Sequence, residues 1–217
     1  MRFVAISDTH GKHQEIQLPP GDVLIHAGDI SARGKEQEVK SFLDWFSALP
    51  YTYKIFIAGN HDFFLEKKSE QEIKKIIPPG IIYLNDSGIN IEGINVWGSP
   101  VTPWFYDWAF NRHRGHPIKK HWSMIPDETN ILVTHGPAYG ILDTTISGES
   151  VGCEDLLYYI RRRERNNTEE NKNPFTHICG HIHEAYGQHH VKGIHYINAC
   201  VLDAQYMHNN APVIFER

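Results

Sequence analysis

Short apolar runs that break abruptly into polar residues recur along this chain. Four of these runs predict buried strands: Phe3–Ile6, Val23–Ala27, Tyr53–Ala58 and Asn130–Thr134. A fifth, shorter run, Ile178–Cys179, stops at Gly180 in the same way. Because every run ends so sharply, we expect a turn directly after each strand.

The stretches between these runs carry the remaining secondary structure. Helices are predicted over Glu36–Leu49, Lys67–Ile77 and Ser150–Arg165. Short strands are predicted over Ile81–Leu84, Ile89–Ile91, Ile94–Gly98, Ile194–Ala199 and Val213–Phe215, the first three antiparallel with tight turns. The polar residues 166–173 predict a surface loop. Since no internal repeat or linker is visible, we expect a single domain over residues 1–217.

The polar residues behind the apolar runs are of the types that bind metal ions. They form the motifs Asp8-x-His10, Gly28-Asp29, Gly59-Asn60-His61-Asp62, His135-Gly136 and Gly180-His181-x-His183. Open α/β sheets bind ligands at the carboxyl ends of their strands. Residues i and i+2 of an extended backbone point to the same side, so His181 and His183 are expected to face one point where two neighbouring metal ions could sit, and Asp8 and His10 to lie on one side of the chain. Each motif alone is as typical of a polar turn, but their repetition after successive strands favours a site.

Composition narrows the class of protein. The net charge of −5 argues against a surface built to grip a long nucleic acid, because such surfaces carry a basic stripe. The three cysteines have no C-x-x-C spacing and are typical of reduced residues in an intracellular protein. No apolar run approaches membrane-spanning length, so we expect a cytoplasmic chain that does not bind membranes. Of the histidines, six are predicted in polar loops without a role: His113, His116, His121, His189, His190 and His208.

The chemistry of the motifs favours a pair of metal ions. The residues they offer are Asp8, His10, Asp29, Asn60, His61, His135, His181 and His183. Imidazoles with carboxylates and an amide suit Mn, Fe, Zn or Ni rather than calcium, and we favour Mn. There are too many ligands for one tetrahedral zinc ion. Two ions roughly 3.5–4 Å apart, bridged by a carboxylate, would activate a shared water for attack of the hydroxide on phosphorus. The sequence therefore predicts a dinuclear phosphoesterase.

The order of these motifs resembles the calcineurin-like metallophosphoesterase superfamily, and within it most closely the metallophosphoesterase-domain-containing branch of metallophosphodiesterases. Segments similar to that branch are Ala58–His61, Thr102–Phe105, Thr134–Pro137 and Gly180–Gly187. The resemblance implies a four-layer αββα sandwich with a dinuclear metal site at the carboxyl ends of the central strands. It implies one ion held by Asp8, His10, Asp29 and His183, and a second held by Asp29, Asn60, His135 and His181, with Asp29 bridging. By the same resemblance, His61 contacts the phosphate and protonates the leaving oxygen.

Two differences from patterns within the superfamily change what we expect of the substrate class and of metal occupancy. Phosphoprotein phosphatases place an aspartate three residues after the bridging one, whereas this chain has Ala32 there. A protein phosphatase is therefore disfavoured, and Asp62 becomes the nearest candidate to orient His61. Some members of the closer branch replace the first histidine of the G-H-x-H segment by glycine, but this chain keeps His181, so we expect both metal sites to be occupied.

The hypothesis that follows is a phosphodiesterase acting on a small diester, such as a cyclic nucleotide or a similar compound. In this hypothesis the bridging hydroxide attacks phosphorus, and the catalytic residues Asn60 and His61, with the metals, stabilise the charge that develops. An aromatic-rich loop offers Trp104, Phe105 and Trp108 as a wall for the substrate, although a loop pinned by its own aromatic cluster fits equally well. A phosphomonoesterase or nucleotidase remains the alternative with the same chemistry. A non-catalytic metal-binding scaffold is the alternative of another class, and the complete ligand set disfavours it. The sequence leaves open whether Arg33, Arg112 or Arg114 reaches the phosphate, and which oligomer forms.

Overall fold

Two β-sheets pack face to face between two layers of helices in the computed structural model, which describes residues 1–166 and 174–217. The strands are β1 Arg2–Ile6, β2 Val23–Ala27, β3 Tyr53–Ile57, β4 Ile81–Tyr83, β5 Ser87–Ile91, β6 Ile94–Ser99, β7 Thr102–Pro103, β8 Asn111–Arg112, β9 Ile131–Thr134, β10 Phe175–Cys179, β11 Gly187–Val191, β12 Ile194–Asn198 and β13 Val213–Glu216. The α-helices are α1 Glu36–Ala48, α2 Phe63–Glu66, α3 Glu70–Ile76, α4 His116–Trp122 and α5 Glu154–Asn166.

Parallel strands form the centre of both sheets. The first sheet has the order β13-β1-β2-β3-β4, and only the pairing of β13 with β1 is antiparallel. The second sheet has the order β11-β12-β10-β9-β6-β5, with antiparallel pairs at its two edges and parallel pairs between them. Because the central strands run in parallel, the turns after β1, β2 and β3, and those after β9 and β10, gather at one end of each sheet.

Apolar clusters fill the three interfaces between the four layers. One lies between the first sheet and helices α1 and α3, one between the two sheets, and one between the second sheet and helices α4 and α5. Representative members are Phe42 and Phe56 of the first cluster, Ile25 and Val133 of the second, and Leu156 and Tyr196 of the third. Strands buried on both faces need continuous apolar runs, which explains why these strands were visible in the sequence. The predicted four-layer αββα sandwich is confirmed.

Two predictions about secondary structure are wrong in part. The helix predicted over Lys67–Ile77 begins only at Glu70, because Ser69 caps it and the Glu72 carboxylate accepts from the Ser69 backbone N–H at 2.9 Å. The strand predicted over Ile81–Leu84 is not antiparallel to its successors. It joins the first sheet as β4, parallel to β3, while β5 and β6 form an antiparallel pair in the second sheet.

Four of the histidines expected in polar loops lie in regular elements. His116 and His121 belong to helix α4, and His189 and His190 to edge strand β11. Of the predicted surface loop, residues 167–173 lie outside the described part of the chain. Within the described part, no helix combines the length and the apolar character needed to cross a membrane.

Candidate metal centre

The turns behind the central strands of both sheets meet at one place. Backbone hydrogen bonds join them: the Asp8 N–H donates to the Gly28 carbonyl at 2.9 Å, and the Gly180 N–H donates to the His135 carbonyl at 2.9 Å. The Ser7 N–H donates to Ala199 at 2.8 Å and thereby ties the end of the first sheet to the second. The motifs found in the sequence are therefore brought together by the parallel topology.

The backbone of this centre is left-handed at several candidate ligands. The φ angles are 55° at Asp8, 43° at His10, 56° at Asp29 and 71° at His181. Residues with side chains adopt this region uncommonly, and such strain clusters at functional sites. The extended backbone assumed from the sequence is therefore wrong here. His181 and His183 nevertheless contribute to two neighbouring groups, which agrees with the expected place for two ions, and Asp8 and His10 share one group.

The first group consists of Asp8, His10 and His183. The Nε2 atoms of His10 and His183 are 3.2 Å apart, and Asp8 Oδ1 lies 3.5 Å from His183 Nε2 and 3.9 Å from His10 Nε2. Ligand atoms roughly 2.0–2.2 Å from a common ion are separated by such distances. The buried donors of this group therefore fit one divalent ion.

The second group consists of Asp29, His135 and His181. His135 Nε2 lies 3.3 Å from Asp29 Oδ2 and 2.8 Å from Asn60 Oδ1, so the Asn60 amide oxygen is placed to join the same group. These donors are the set that the family resemblance implied for a second ion.

Asp29 connects the two groups through a single oxygen. Its Oδ2 atom faces His135 Nε2 in the second group and lies 3.7 Å from His10 Nε2 in the first. Its Oδ1 atom accepts a hydrogen bond from the His61 backbone N–H at 2.8 Å. Because Oδ1 is held in this way, Oδ2 is the oxygen that could serve both groups. The geometry fits a bridging role for Asp29.

Backbone carbonyls orient the histidine ligands. The Nδ1–H of His135 donates to the Ala27 carbonyl at 2.9 Å, and that of His183 donates to the Asp203 carbonyl at 3.0 Å. Since a carbonyl only accepts, the proton sits on Nδ1 and the Nε2 lone pair faces the centre. Outer partners of this kind raise the basicity of an imidazole ligand.

The Asp8 carboxylate is held by a thiol and a backbone amide. Its Oδ2 atom accepts from the Cys200 thiol at 3.1 Å and from the His181 N–H at 3.0 Å. Burial raises the pKa of the Cys200 thiol well above its usual value, so Cys200 stays protonated and acts as a donor. Oδ1 remains directed at the two histidines of the first group.

The charges of the centre favour anionic carboxylates. Burial raises the pKa of Asp8 and of Asp29, but hydrogen bonds and charges from His183 and His135 outweigh it and hold both carboxyl pKa values below the usual range. Burial lowers the pKa of the two histidines, but the same carboxylates outweigh it and raise each pKa to about 9. Without metal, these two imidazoles therefore carry the positive charge that the carboxylates require. Divalent ions would replace those protons.

His61 lies beside the two groups and is oriented by the backbone. Its Nδ1–H donates to the Ala32 carbonyl at 2.8 Å, and its Nε2 lies 3.9 Å from Asp29 Oδ2. The prediction that Asp62 orients His61 is wrong. Asp62 accepts instead from the N–H groups of Gly59 at 2.7 Å and Ser31 at 3.0 Å. Asp62 therefore clamps the turn after β2 against the turn after β3.

A cavity of about 390 Å³ opens above the candidate ligands. Beyond those ligands, its walls include Phe105, Trp108, Ile146, Glu184, Gln205 and Tyr206. The Trp108 ring packs 4.4 Å from the His61 ring, as expected of a substrate wall. Trp104, however, does not line the cavity, because its half-exposed ring stacks on His113 at 5.5 Å. The prediction of Trp104 as part of that wall is wrong.

Several residues of the cavity were not found in the sequence. Glu184 directly follows His183 in the motif, which was the one available signal. Ile146 and Tyr206 come from loops with no recognisable motif. Burial raises the pKa of the Tyr206 phenol, and the carboxylates of Asp29, Asp8 and Glu184 raise it further, so Glu184 and Tyr206 lie within electrostatic range of each other.

The sequence left open whether Arg33, Arg112 or Arg114 reaches the phosphate, and none of the three lines this cavity. The Arg112 guanidinium donates to the Asn111 carbonyl at 2.7 Å, and the Arg114 guanidinium donates to the carbonyls of Gly152 and Val151 at 2.9 and 3.0 Å. Among the residues that the structure describes, neither arginine nor lysine lines the cavity.

Comparisons with known proteins agree with this geometry. A family model described as calcineurin-like phosphoesterase matches residues 1–185. Metallophosphoesterase domain-containing protein 1 of Homo sapiens is 39% identical over 238 residues, covering 99% of this chain and 70% of that protein. The UPF0046 protein T07D4.2 of Caenorhabditis elegans is 35% identical over 244 residues, covering 100% of this chain and 60% of that protein. A solved crystal structure with 15% identity matches 91% of this chain and 89% of its own at a TM-score of 0.62, which supports the fold alone.

Proposed function

The chain belongs to the calcineurin-like phosphoesterase family, a family of metal-dependent phosphoesterases, and we propose that it hydrolyses small phosphodiesters with two divalent ions. Asp8, His10, Asp29 and His183 would hold one ion, and Asp29, Asn60, His135 and His181 the other. When bound, the ions supply a nucleophile at neutral pH and neutralise the charge that develops on phosphoryl oxygens. The nitrogen and oxygen donors suit Mn, Fe, Zn or Ni, and we favour Mn.

The observation that carries the choice of a diester is the charge of the cavity. Beyond the candidate ligands, its walls carry one carboxylate, Glu184, and in the described part of the chain no lysine or arginine. A phosphomonoester carries up to two negative charges near neutral pH, whereas a diester carries one. Sites that bind the terminal phosphate of a substrate commonly use arginine or lysine as a clamp. The absence of an arginine or lysine clamp from the described walls of this cavity favours the diester.

The protein's own residues would orient the substrate and move one proton. His61 presents Nε2 to the cavity because Ala32 fixes the tautomer, so a protonated His61 would donate from Nε2 to the leaving oxygen. The backbone N–H of His61 holds Asp29, so the candidate acid and the candidate bridging carboxylate move as one unit. Trp108, packed on the His61 ring, would cover the leaving group and exclude water from it.

A paired rate assay tests the proposal. Protein that has been stripped of metal and refilled with manganese is given bis(p-nitrophenyl) phosphate and p-nitrophenyl phosphate in parallel. We expect faster turnover of the diester, and loss of turnover in the stripped protein. Faster turnover of the monoester would move the proposal to a phosphatase or nucleotidase. Turnover of neither ester, with metal bound, would favour a metal-binding scaffold.

A further inference from the structure

The cavity beside the metal centre holds a carboxylate with no cationic partner. Glu184 is an exposed residue that lines the cavity, and its Oε1 accepts a hydrogen bond from the Ile146 N–H at 2.7 Å. Within the described residues, Glu184 forms no ion pair with lysine or arginine. A carboxylate beside the binding place of an anion repels that anion unless the rest of the ligand compensates the charge.

Aromatic side chains flank the cavity on both sides of the histidines. Trp108 packs on His61 at 4.4 Å, His61 on His10 at 4.6 Å, and His10 on Tyr206 at 5.1 Å. Tyr206 also lies 4.9 Å from the His183 ring, and Glu184 is the next residue along the chain. The row of rings therefore places Trp108 at the His61 end of the cavity, and Tyr206 with Glu184 at the opposite end.

We infer that the end formed by Glu184 and Tyr206 is a subsite for an organic ammonium group carried by the ester that stays on phosphorus. The inference rests on the proposed phosphodiesterase function and names its substrate class. Aromatic faces attract substituted ammonium ions, and a nearby carboxylate adds a charge pair. The substrate class is a phosphodiester with a quaternary or substituted ammonium group, which is a zwitterion overall.

The position of His61 decides which ester meets this subsite. His61 protonates the leaving oxygen, so the leaving group lies at the Trp108 end. The ester retained on phosphorus then extends past His10 toward Tyr206 and Glu184. A bond forms from the water oxygen to phosphorus as the bond from phosphorus to the leaving oxygen breaks, and the leaving oxygen takes the proton of His61. The water loses one proton to solvent, and a proton from solvent then restores the protonated His61. A neutral retained ester gains no charge pair from Glu184.

Two chromogenic diesters with the same leaving group test the inference. One is p-nitrophenyl phosphorylcholine, and the other is p-nitrophenyl 3,3-dimethylbutyl phosphate, in which carbon replaces the ammonium nitrogen. With the manganese-loaded full chain, we expect kcat/KM to favour the choline ester by about two- to fivefold, the range of cation–π contacts at exposed sites, because Glu184 is exposed and Tyr206 is 44% exposed. Equal kcat/KM for the two esters would overturn the inference.

A matched pair of variants assigns the preference to Glu184. Glu184→Gln keeps an oxygen that accepts from the Ile146 N–H and removes the charge. We expect this variant to lose most of the preference for the choline ester. Glu128→Gln removes an exposed carboxylate that does not line the cavity, and should keep the preference. An unchanged preference in Glu184→Gln would contradict the inference.

Two further measurements separate this inference from the proposed function. If bis(p-nitrophenyl) phosphate is hydrolysed while the two chromogenic esters react equally, the subsite is wrong and the phosphodiesterase stands. Calorimetric binding of phosphocholine and of 3,3-dimethylbutyl phosphate to the loaded protein tests the subsite without turnover. Tighter binding of phosphocholine supports the subsite even if no diester is hydrolysed, and equal binding overturns it.

Discussion

The Nδ1–H of His61 donates to the carbonyl oxygen of Ala32 at 2.8 Å. In the phosphoprotein phosphatases, from whose pattern this chain departs here, an aspartate occupies the position of Ala32 and pairs with the catalytic histidine. Here the backbone takes over the orienting part of that role without adding a negative charge. His61 keeps the tautomer that presents Nε2 to the cavity. His61 is therefore oriented even though this chain lacks that aspartate.

Replacing the proposed general acid should affect substrates according to their leaving group. In His61→Asn, we expect turnover of alkyl diesters to fall by on the order of 10²–10⁴, because their leaving oxygen needs a proton. Turnover of p-nitrophenyl esters should fall less, because p-nitrophenolate leaves without protonation. Steady-state rates on both classes, with metal content measured, check this prediction. His113→Asn, an exposed histidine outside the cavity, serves as the control. Equal losses on both classes would rule out the general-acid role.

The backbone of Gly180 lies close to the Asp8 carboxylate, so we expect this glycine to be important for metal binding. A Cβ atom on Gly180 would lie 2.1 Å from Asp8 Oδ2 and 2.2 Å from Ser7 Oγ. Gly180→Ala should therefore displace the carboxylate and weaken manganese binding by at least 10–100-fold, on the order found for lost outer partners of metal ligands. Gly136→Ala, whose Cβ would meet no atom closer than the Thr102 methyl group at 3.2 Å, should bind manganese almost normally. Metal titration of both variants distinguishes the two, and similar affinities would contradict the prediction.

The clamp formed by Asp62 should matter for stability. The Asp62 carboxylate accepts from the Gly59 and Ser31 N–H groups and from the Ser31 hydroxyl at 2.6 Å, and all of these groups are buried. Asp62→Ala leaves them without their partner, so we expect the free energy of unfolding to fall by about 3 kcal/mol. Urea unfolding of metal-free protein measures this, with the exposed Asp127→Ala as the control. A change as small as that of the control would show that Asp62 does not clamp the turns.

Metal binding should release protons. In metal-free protein, His135 and His183 have pKa values raised to about 9, so both are protonated at pH 7. Each belongs to a different ligand group, so each ion should displace about one proton, and affinity should rise about tenfold per pH unit between pH 7 and 9. Calorimetry in two buffers of different ionisation enthalpy counts these protons. Binding without proton release would contradict the assigned charges.

His135 and His183 also determine how the stability of the metal-free protein changes with pH. The pKa values of these two histidines are raised in the folded state, so their protonation stabilises the folded metal-free protein. This contribution is fully present at pH values below the ordinary histidine pKa and is lost as the pH rises through about 9. We therefore expect the melting temperature of metal-free protein to fall between pH 7 and pH 10, and that of manganese-loaded protein to fall less. Thermal unfolding of both forms across this range checks the prediction.

The two tryptophans of the aromatic loop should behave differently. Trp108 lines the cavity and packs on His61, whereas Trp104 stacks on His113 outside it. Trp108→Ala should raise KM for bis(p-nitrophenyl) phosphate by about fivefold or more, since one aryl contact is worth about 1 kcal/mol or more. Trp104→Ala should leave KM within about twofold of the unchanged protein, because its ring makes no cavity contact. Equal effects of the two substitutions would refute the assigned substrate wall.

The sequence predicted the parts of this structure that depend on buried parallel strands. Continuous apolar runs marked β1, β2, β3 and β9, and the turn after each supplied a candidate ligand. Parallel pairing then brings those turns together wherever the strands lie in the sheets. The short run Ile81–Leu84 was placed wrongly, because four residues do not reveal which sheet edge accepts them.

The contacts that orient the site were not visible in the sequence. The carbonyl of Ala32 and the thiol of Cys200 act through backbone position and burial, which no residue pattern encodes. The left-handed backbone at Asp8, His10 and His181 was not predicted either, although the residues that it places around the two groups were. Glu184 and Tyr206 line the same cavity from different segments of the chain, so this end of the cavity emerged only from the fold.

The most direct test of the account is a titration of metal-stripped protein with manganese. Bound metal per chain and hydrolysis of bis(p-nitrophenyl) phosphate are followed in the same samples. If Asp29 bridges two ions, two ions bind per chain and hydrolysis appears as the second site fills. Full hydrolysis with one ion per chain, or without any metal, would contradict the dinuclear centre.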